Sequence, residues 1–189
     1  MPNAIDLLRA DHDRLRQILP KLGDASIAAE ERKRFLTAIE KELKIHTLLE
    51  EEIFYPAYKD AARTTEDRDM YFEAIEEHHV VDMLLPELQP LDASSDGFRA
   101  KASVLRELVE HHAGEEEEDM FPKAQQLLGD QRLADLGQSM NARKQELEQQ
   151  WENGGIAALL RKVQSIADKF APTAVKDARV EANRDDARR

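Results

Sequence analysis

The sequence lacks cysteine, and it has only 7 glycines and 7 prolines among its 189 residues. The absence of thiols excludes disulfides, thiolate metal sites and cysteine nucleophiles. Long apolar runs are also missing, since no stretch approaches the roughly 20 apolar residues that span a bilayer. The first residues, MPNAIDLLRADH, contain no basic region followed by an apolar one. We therefore expect neither a secretory signal nor a membrane partner, and a cytoplasmic location.

Basic residues are too few and too evenly mixed with acidic ones for a nucleic-acid surface. Lys and Arg number 27 against 39 Asp and Glu, which gives a net charge of −12. Nucleic-acid binding depends on clustered Lys and Arg, and in the arginine-rich end ARVEANRDDARR the acids nearly balance the bases. The hydrophobic fraction of 41% and the charged fraction of 35% are instead typical of an all-helical soluble protein.

Four segments within the first 122 residues repeat their apolar residues at helical spacing. They cover residues 3–22, 28–55, 66–89 and 95–121. The short connections between them contain turn and capping residues, and short connections between helices of this length make neighbouring helices antiparallel. The sequence therefore predicts an all-α fold, an up-down antiparallel four-helix bundle.

The second half of this region repeats the first at an offset of 66 residues, without a gap from residue 12 to residue 56. Nine aligned positions are identical, and they include two histidine positions and a glutamate position. These pairs are His12 with His78, His46 with His112, and Glu50 with Glu116. The repeat predicts two helical hairpins related by pseudo-symmetry.

These histidines and glutamates occupy core positions of the predicted helices. The apolar residues of each segment recur at alternating spacings of three and four, the seam of a helical bundle, provided that a histidine fills one position. A single seam histidine is usually bonded to a neighbour, and a single helical glutamate is usually solvated. Six such groups at equivalent depths are a different case from one. Buried carboxylates without a compensating positive charge cost folding free energy or must take up protons. The pattern therefore predicts cations bound in the core.

The spacing also limits which metal can bind. A histidine and a glutamate four residues apart share a helix face, so each such pair can bind one cation or bridge two. Six ligands are more than a four-coordinate zinc ion takes, and nitrogen and oxygen donors without sulfur favour iron or manganese over copper. We predict two metals that share bridging carboxylates and a solvent-derived oxygen. The predicted ligands are His12, His46, Glu50, His78, His112 and Glu116.

The sequence around these residues resembles the hemerythrin-like (HHE cation-binding) family. The segments DHDRLRQIL, HTLLEEEIFYP, EEHHVVDMLL and HHAGEEEEDMFP are similar to the local motifs of that family. The resemblance implies a non-haem di-iron centre, with two irons joined by an oxo or hydroxo bridge and with Glu50 and Glu116 as bridging carboxylates. Members of the family bind O2 reversibly, sense oxygen or iron, or act on peroxide or nitric oxide.

The resemblance extends to about residue 150, because QRLADLGQSMNARKQEL is similar to the helix that often follows the bundle in bacterial members. We therefore assign residues 1–150 to the hemerythrin-like domain. Residues 151–175 are expected to form a C-terminal helical extension that docks on the bundle or makes a homodimer contact. Residues 176–189 are expected to form a flexible charged tail.

Two positions depart from the oxygen-carrying members of the family. Those members have a second histidine where this chain has Asp82, and their last carboxylate falls where this chain has Glu117. Fewer imidazoles imply a weaker hold on Fe(II), which disfavours a stable oxygen carrier. We expect Asp82 to be an extra ligand, an acceptor for an imidazole N–H or a solvated residue. His79 and His111 lie off the seam, beside the predicted ligands rather than among them.

The sequence supports two hypotheses about function. In the first, an open position of the di-iron centre meets O2, peroxide or nitric oxide, behind an apolar ring that limits water access. That ring consists of Leu15, Leu43, Ile53, Val81 and Val109. In the second, iron occupancy sets the fold of a regulatory sensor or interaction module. Ferritin-like storage is rejected, since its Glu-x-x-His motif occurs only at Glu76 and His79. Tyr55 and Tyr71 are expected to be packing residues or redox-active neighbours.

Overall fold

The computed structural model describes residues 2–154 of the chain, and these are almost entirely helical. Its α-helices are α1 (Ala4–Ile18), α2 (Pro20–Gly23), α3 (Ala29–Leu49), α4 (Tyr55–Ala61), α5 (Thr65–Leu88), α6 (Asp96–Glu115) and α7 (Phe121–Glu152). A π-helical turn at Glu50–Phe54 joins α3 to α4, and a second at Glu116–Met120 joins α6 to α7. Between residues 2 and 154 there is no strand, and no described helix is long and apolar enough to cross a membrane. The all-α prediction is confirmed, whereas residues 155–189, with most of the predicted extension and all of the tail, lie outside the described part.

Four helical arms build the bundle. The first contains α1 and α2, the second α3 and α4, the third α5, and the fourth α6 with the first turns of α7. These arms correspond to the predicted segments, although the second continues to Ala61. Capping boxes begin the first and third arms, where Asn3 pairs with Asp6 and Thr64 with Asp67 through side-chain to backbone hydrogen bonds. The fold is therefore the predicted four-helix bundle.

A polar layer divides the apolar core into two clusters. The first core cluster includes residues from the start of α1, from α4 and from α7. The second core cluster includes residues from the end of α1, from α2 and from the first part of α3. Along α1, Leu8 belongs to the first cluster and Leu15 to the second, with the buried His12 between them. His46 separates the clusters in the same way along α3, so the histidines cross the middle of the bundle.

Both π-helical turns correct the predicted seam. In each turn a backbone N–H donates five residues back, from Tyr55 to Glu50 and from Phe121 to Glu116, which adds one residue to a helical turn. Continued past Glu50 and Glu116, the three- and four-residue spacing of the seam predicts core positions at Ile53 and Asp119. The side chains that follow each turn are rotated, so that prediction is wrong. Ile53 is only partly buried and Asp119 is exposed. The buried positions are their successors in the chain, Phe54 and Met120.

The long final helix adds a fifth helical segment to one side of the bundle. The backbone of α7 leaves helical geometry at Gly129, where φ is 72°, and α7 packs against α1 and α3. Apolar residues of its second part join the first core cluster: Leu133, Leu136, Met140 and Leu147. At Gly137 this part touches the start of the chain, since a Cβ there would lie 2.8 Å from the Asn3 carbonyl carbon. Only a glycine permits so close an approach.

Replacing Gly137 with alanine should destabilise the fold. The added methyl group would push α7 away from the start of α1, and such overpacking costs about 1–3 kcal/mol. Because the atoms in the way are backbone atoms of Pro2, Asn3 and Ala4, we expect a cost in the upper part of that range, above the roughly 1 kcal/mol that alanine gains over glycine within a helix. Urea unfolding measures the change. Gly114→Ala is the matched control, because a Cβ there meets nothing within 4 Å, so its stability should rise. Equal stability of the two variants would contradict the close approach.

Candidate metal centre

The six predicted ligands meet in the polar layer between the two core clusters. The helices α1, α3, α5 and α6 each supply one histidine, and each π-helical turn begins with one glutamate. All six side chains are buried, with exposed fractions from 0% at Glu50 to 6% at His78 and His112. The structure thus brings together every residue of the predicted set. That they bind a metal stays a prediction.

The four imidazoles form two pairs, and Glu50 lies between the pairs. Nε2 of His12 is 3.2 Å from Nε2 of His46. Nε2 of His78 is 3.1 Å from Nε2 of His112. Oε1 of Glu50 lies 3.2 Å from Nε2 of His46, and its Oε2 lies 3.2 Å from Nε2 of His78. One carboxylate therefore reaches both imidazole pairs.

Glu116 also reaches both pairs, from the other side and through one of its oxygens. Its Oε2 lies 3.2 Å from Nε2 of His12 and 3.6 Å from Nε2 of His112. The 66-residue repeat of the sequence is thus a pseudo-symmetry of the site. The ligand atoms fall into two overlapping groups that could each hold a metal ion. These are His12, His46, Glu50 and Glu116 in one group, and Glu50, His78 and His112 in the other.

Carboxylates outside the centre fix the orientation of three imidazoles. Each of these imidazoles donates its Nδ1–H over a distance of 2.7 to 2.9 Å. The donations run from His12 to Glu117, from His78 to Glu51 and from His112 to Glu77. A neutral imidazole with its proton on Nδ1 carries a lone pair on Nε2. Outer hydrogen bonds of this kind orient metal-binding histidines and raise their basicity.

Sequence reasoning did not find these outer partners, although the repeat carries a signal for them. The 66-residue offset aligns Glu51 with Glu117, and it aligns Asp11 with Glu77. The second pair consists of two different acidic residues, so it is not among the nine identities of the repeat. The two pairs follow one rule: an acid directly precedes the first histidine of each half, and an acid directly follows each candidate bridging glutamate.

Asp11 connects the centre to α7. Its Oδ2 lies 3.8 Å from Nδ1 of His46, which is beyond hydrogen-bond length. Lys144 of α7 and Arg14 of α1 form ion pairs with its carboxylate. Although burial alone would raise the pKa of Asp11, contacts with His46 and Lys144 hold it well below its usual range. An ionised carboxylate therefore faces the fourth imidazole.

The atoms that face the centre are mainly hydrogen-bond acceptors. Because three imidazoles direct Nδ1–H outwards, their Nε2 atoms present lone pairs inwards whenever the rings are neutral, as metal binding requires. Both carboxylate oxygens of Glu50 and Oε2 of Glu116 accept no hydrogen bond from any residue in the described range 2–154. Buried acceptors that face one another require a positive charge between them. This donor set of imidazole nitrogen and carboxylate oxygen fits a metal cation.

Protons or metal ions must balance the charge of this cluster. Burial, together with the nearby charge of Glu116, raises the pKa of Glu50 to about 8. Burial alone would lower the pKa of His78, but the carboxylates of Glu50 and Glu51 raise it to about 10. Burial lowers the pKa of His46 to about 4. Metal binding to such a set is coupled to the release of protons.

Tyr55 belongs to the site rather than to the surrounding packing alone. Its hydroxyl group donates a hydrogen bond of 2.9 Å to Oε1 of Glu116, and its ring stacks on the imidazole of His78 with centroids 5.5 Å apart. Burial and the neighbouring carboxylates raise the pKa of Tyr55 well above its usual value. Tyr71 contacts the Tyr55 ring edge-on, at 6.1 Å. The first tyrosine therefore holds a proton directly beside a candidate ligand.

The residues beside the predicted ligands have other partners. Asp82 forms an ion pair with Lys44 of α3, so it serves here neither as an extra ligand nor as an imidazole acceptor. His111 lies at the surface, with 61% of its side chain exposed and its Nε2 3.2 Å from Oε1 of Glu115. His79 is partly buried and belongs to none of the metal-binding groups within residues 2–154.

A small apolar cavity adjoins the imidazoles on the side of the second core cluster. Its volume is about 20 Å³, which is about the space of one water molecule. Four members of the predicted apolar ring form part of its wall: Leu15, Leu43, Val81 and Val109. Ile53 does not, because the π-helical turn places it against the first core cluster instead. Four of the five predicted ring residues therefore line this cavity, together with the imidazoles and with Thr47, Glu77 and Ala113.

Comparisons with known proteins place this fold and sequence in a family. The chain is 32% identical over 146 residues to uncharacterized proteins of Mycobacterium tuberculosis and Mycobacterium bovis, which covers 77% of this chain and 87% of each relative. A crystal structure of a hemerythrin HHE cation binding domain-containing protein from Mycobacterium kansasii superposes with a TM-score of 0.71 at 29% identity, covering 85% of this chain and 99% of that one. The profile of the hemerythrin HHE cation binding domain matches residues 3–124. The chain belongs to the hemerythrin HHE cation binding domain family.

Proposed function

We propose that the protein holds two irons in its bundle core and binds or reacts with O2, peroxide or nitric oxide. The observation that carries this proposal is the buried ring in which Nε2 atoms of the imidazoles face both oxygens of Glu50 and Oε2 of Glu116, since none of these three oxygens accepts a hydrogen bond from a residue in the range 2–154. The irons, joined by an oxo or hydroxo bridge, would be held by His12, His46, Glu50, His78, His112 and Glu116. Glu50 and Glu116 each reach an imidazole of both pairs, which suits bridging carboxylates.

Iron fits the donor set better than zinc does. A structural zinc ion takes four ligands in a closed tetrahedron, whereas the six residues here form two groups that share Glu50, so a single zinc ion would leave buried ligands unused. The donors are nitrogen and oxygen atoms only, because the chain has no cysteine. Imidazole with carboxylate suits iron and manganese among the metals that take more than four ligands.

The surrounding side chains prepare the centre for a small uncharged ligand. Bound iron would supply an open coordination position and electrons. The cavity beside the imidazoles is apolar on the side of Leu15, Leu43, Val81 and Val109, which disfavours water and limits the ligand to a few atoms. Tyr55 holds a proton 2.9 Å from Glu116. Glu117, Glu51 and Glu77 keep three imidazoles in one orientation during any change of charge.

A second candidate function is an iron- or oxygen-sensing regulatory module without turnover. The observation that favours it is the chain of contacts from the centre to α7. His46 faces Asp11, and Asp11 forms an ion pair with Lys144. Because metal binding to a buried site contributes folding free energy, loss of metal would loosen the docking of α7. Retention of native α7 contacts in metal-free protein would count against this candidate.

Metal analysis of the purified protein tests the first proposal. We expect two irons per chain, one for each ligand group, and near-ultraviolet absorption of an oxo-bridged pair under air that bleaches on reduction with dithionite. His112→Ala should lower the iron content, because it removes an imidazole of one group. His79→Ala is the matched control and should retain both irons. A single zinc ion and a featureless spectrum would end the proposal.

Loss of an outer carboxylate should weaken metal binding without removing a ligand. In Glu51→Gln the imidazole of His78 keeps a hydrogen-bond acceptor but loses the negative charge that makes it more basic. Metal affinity should fall on the order of tenfold, the lower end of the effect of such partners. Competition with a chelator measures the affinity. The control is Glu118→Gln, which changes an exposed carboxylate next to Glu117 in the sequence and should bind metal as tightly as the native protein. Equal metal affinities of the two variants would refute the role of Glu51.

A further inference from the structure

The two pseudo-symmetric halves of the bundle differ on the faces that flank the centre. Four positions beside the ligands are apolar in the first half and polar in the second, at the same 66-residue offset. The pairs are Leu7 with Glu73, Ile45 with His111, Leu49 with Glu115, and Ile53 with Asp119. The ligands themselves are identical in the two halves. The difference therefore concerns access to the centre rather than the centre itself.

The apolar face is covered by α7. Ile45 and Leu49 belong to the first core cluster together with Leu133 and Met140 of α7, and Leu7 packs against that cluster. Burial of these side chains closes the centre on this side of the bundle. The first half of the repeat thus carries the residues that a covering helix requires.

The polar face carries a cleft between α5 and α6. The cleft has a volume of about 90 Å³ and is lined by Glu73, Glu77, Glu115 and Asp119. Four carboxylates on one small cleft create a negative potential that attracts cations. Among residues 2–154, no helix covers this face in the way that α7 covers the other.

The inner end of this cleft is the metal centre. His112 and Glu116, both predicted ligands, form part of its wall. Glu116 is only 2% exposed, and its Oε2 accepts no hydrogen bond from any residue in the described part of the chain. A buried carboxylate oxygen without a donor at the end of an acidic cleft is a binding atom for a cation.

Two carboxylates of the cleft, Glu77 and Glu115, also belong with the exposed His111 to a second set of groups that could hold a metal ion. Nε2 of His111 lies 3.2 Å from Oε1 of Glu115 and 3.7 Å from Oε1 of Glu77. One ligand atom from each of these three residues falls within 4.8 Å of the others. Glu77 also accepts a hydrogen bond of 2.7 Å from Nδ1–H of His112 through its other oxygen. The carboxylate of Glu77 therefore lies between the exposed imidazole of His111 and the buried imidazole of His112.

We propose that His111, Glu77 and Glu115 form an entry site for a divalent metal ion, from which the ion passes along the acidic cleft to the buried centre. This inference rests on the proposed function, since it requires a metal in the core. The entry site exchanges part of the water shell of the ion for one imidazole and two carboxylates. These donors are of the same kind as those inside, so the ion moves inwards without a large change in its ligands.

Uptake of Fe(II) by metal-free full-length protein under anaerobic conditions tests the inference. The test variant is the double substitution His111→Gln with Glu115→Gln, which removes two donors and leaves Glu77 to orient His112. The matched control is Glu76→Gln with His79→Gln, which removes the same two residue types from α5 outside the cleft. Uptake is stopped at set times with a strong chelator, and protein-bound iron is counted. The series is repeated at low and high salt.

We expect the test variant to load on the order of tenfold more slowly than the native protein, with less dependence on salt, because an acidic cleft steers cations and salt screens it. Its final iron content should equal that of the native protein, and the control should load at the native rate. Equal rates for the test and control variants would overturn the inference, as would a lower final iron content, since the residues would then hold the metal rather than admit it. Native protein that takes up no iron would overturn the proposed function itself, and the entry site with it.

Discussion

The whole arrangement depends on one constraint: two carboxylates and four imidazoles share a buried layer whose inner atoms are acceptors. Glu50, with no exposed surface, lies 3.2 Å from an imidazole nitrogen of each pair. Such a layer in the middle of a helical bundle is destabilising unless positive charge enters it. Apolar clusters on both sides of the layer stabilise the fold around it. A metal cation is the compensation that this donor set fits, and the proposed iron pair would supply it.

Several departures from a regular bundle follow from that constraint. Each π-helical turn begins at a candidate bridging glutamate, as is common at functional sites. Acids adjacent in sequence to the ligands, such as Glu51 and Glu117, reach the outer nitrogens of histidines on other helices. The two halves repeat the ligands but not their surroundings, since α7 covers one face and an acidic cleft reaches the centre on the other. The ligands therefore follow the pseudo-symmetry of the repeat, whereas the faces that surround them do not.

Sequence reasoning predicted the bundle and the convergence of six residues because both follow from periodic spacing. A 66-residue repeat and a seam of alternating three- and four-residue steps are both visible in the order of residues along the chain. The positions of Ile53 and Asp119 could not be predicted in this way, since a π-helical turn shifts the register without any change of composition. Contacts such as that of Tyr55 with Glu116, 61 residues apart, depend on how helices pack. The partner of Asp82, Lys44, was missed for the same reason.

Iron K-edge X-ray absorption of the purified protein tests the central claim most directly, because it reports the atoms that surround the metal. We expect a shell of nitrogen and oxygen neighbours without sulfur, as the imidazoles and carboxylates require, and scattering from a second iron that would share Glu50 and Glu116 as ligands. Two-metal sites typically place their ions roughly 3.5–4 Å apart, and a single bridging oxygen atom brings them closer. A spectrum with one metal and no neighbouring metal would contradict the proposed iron pair.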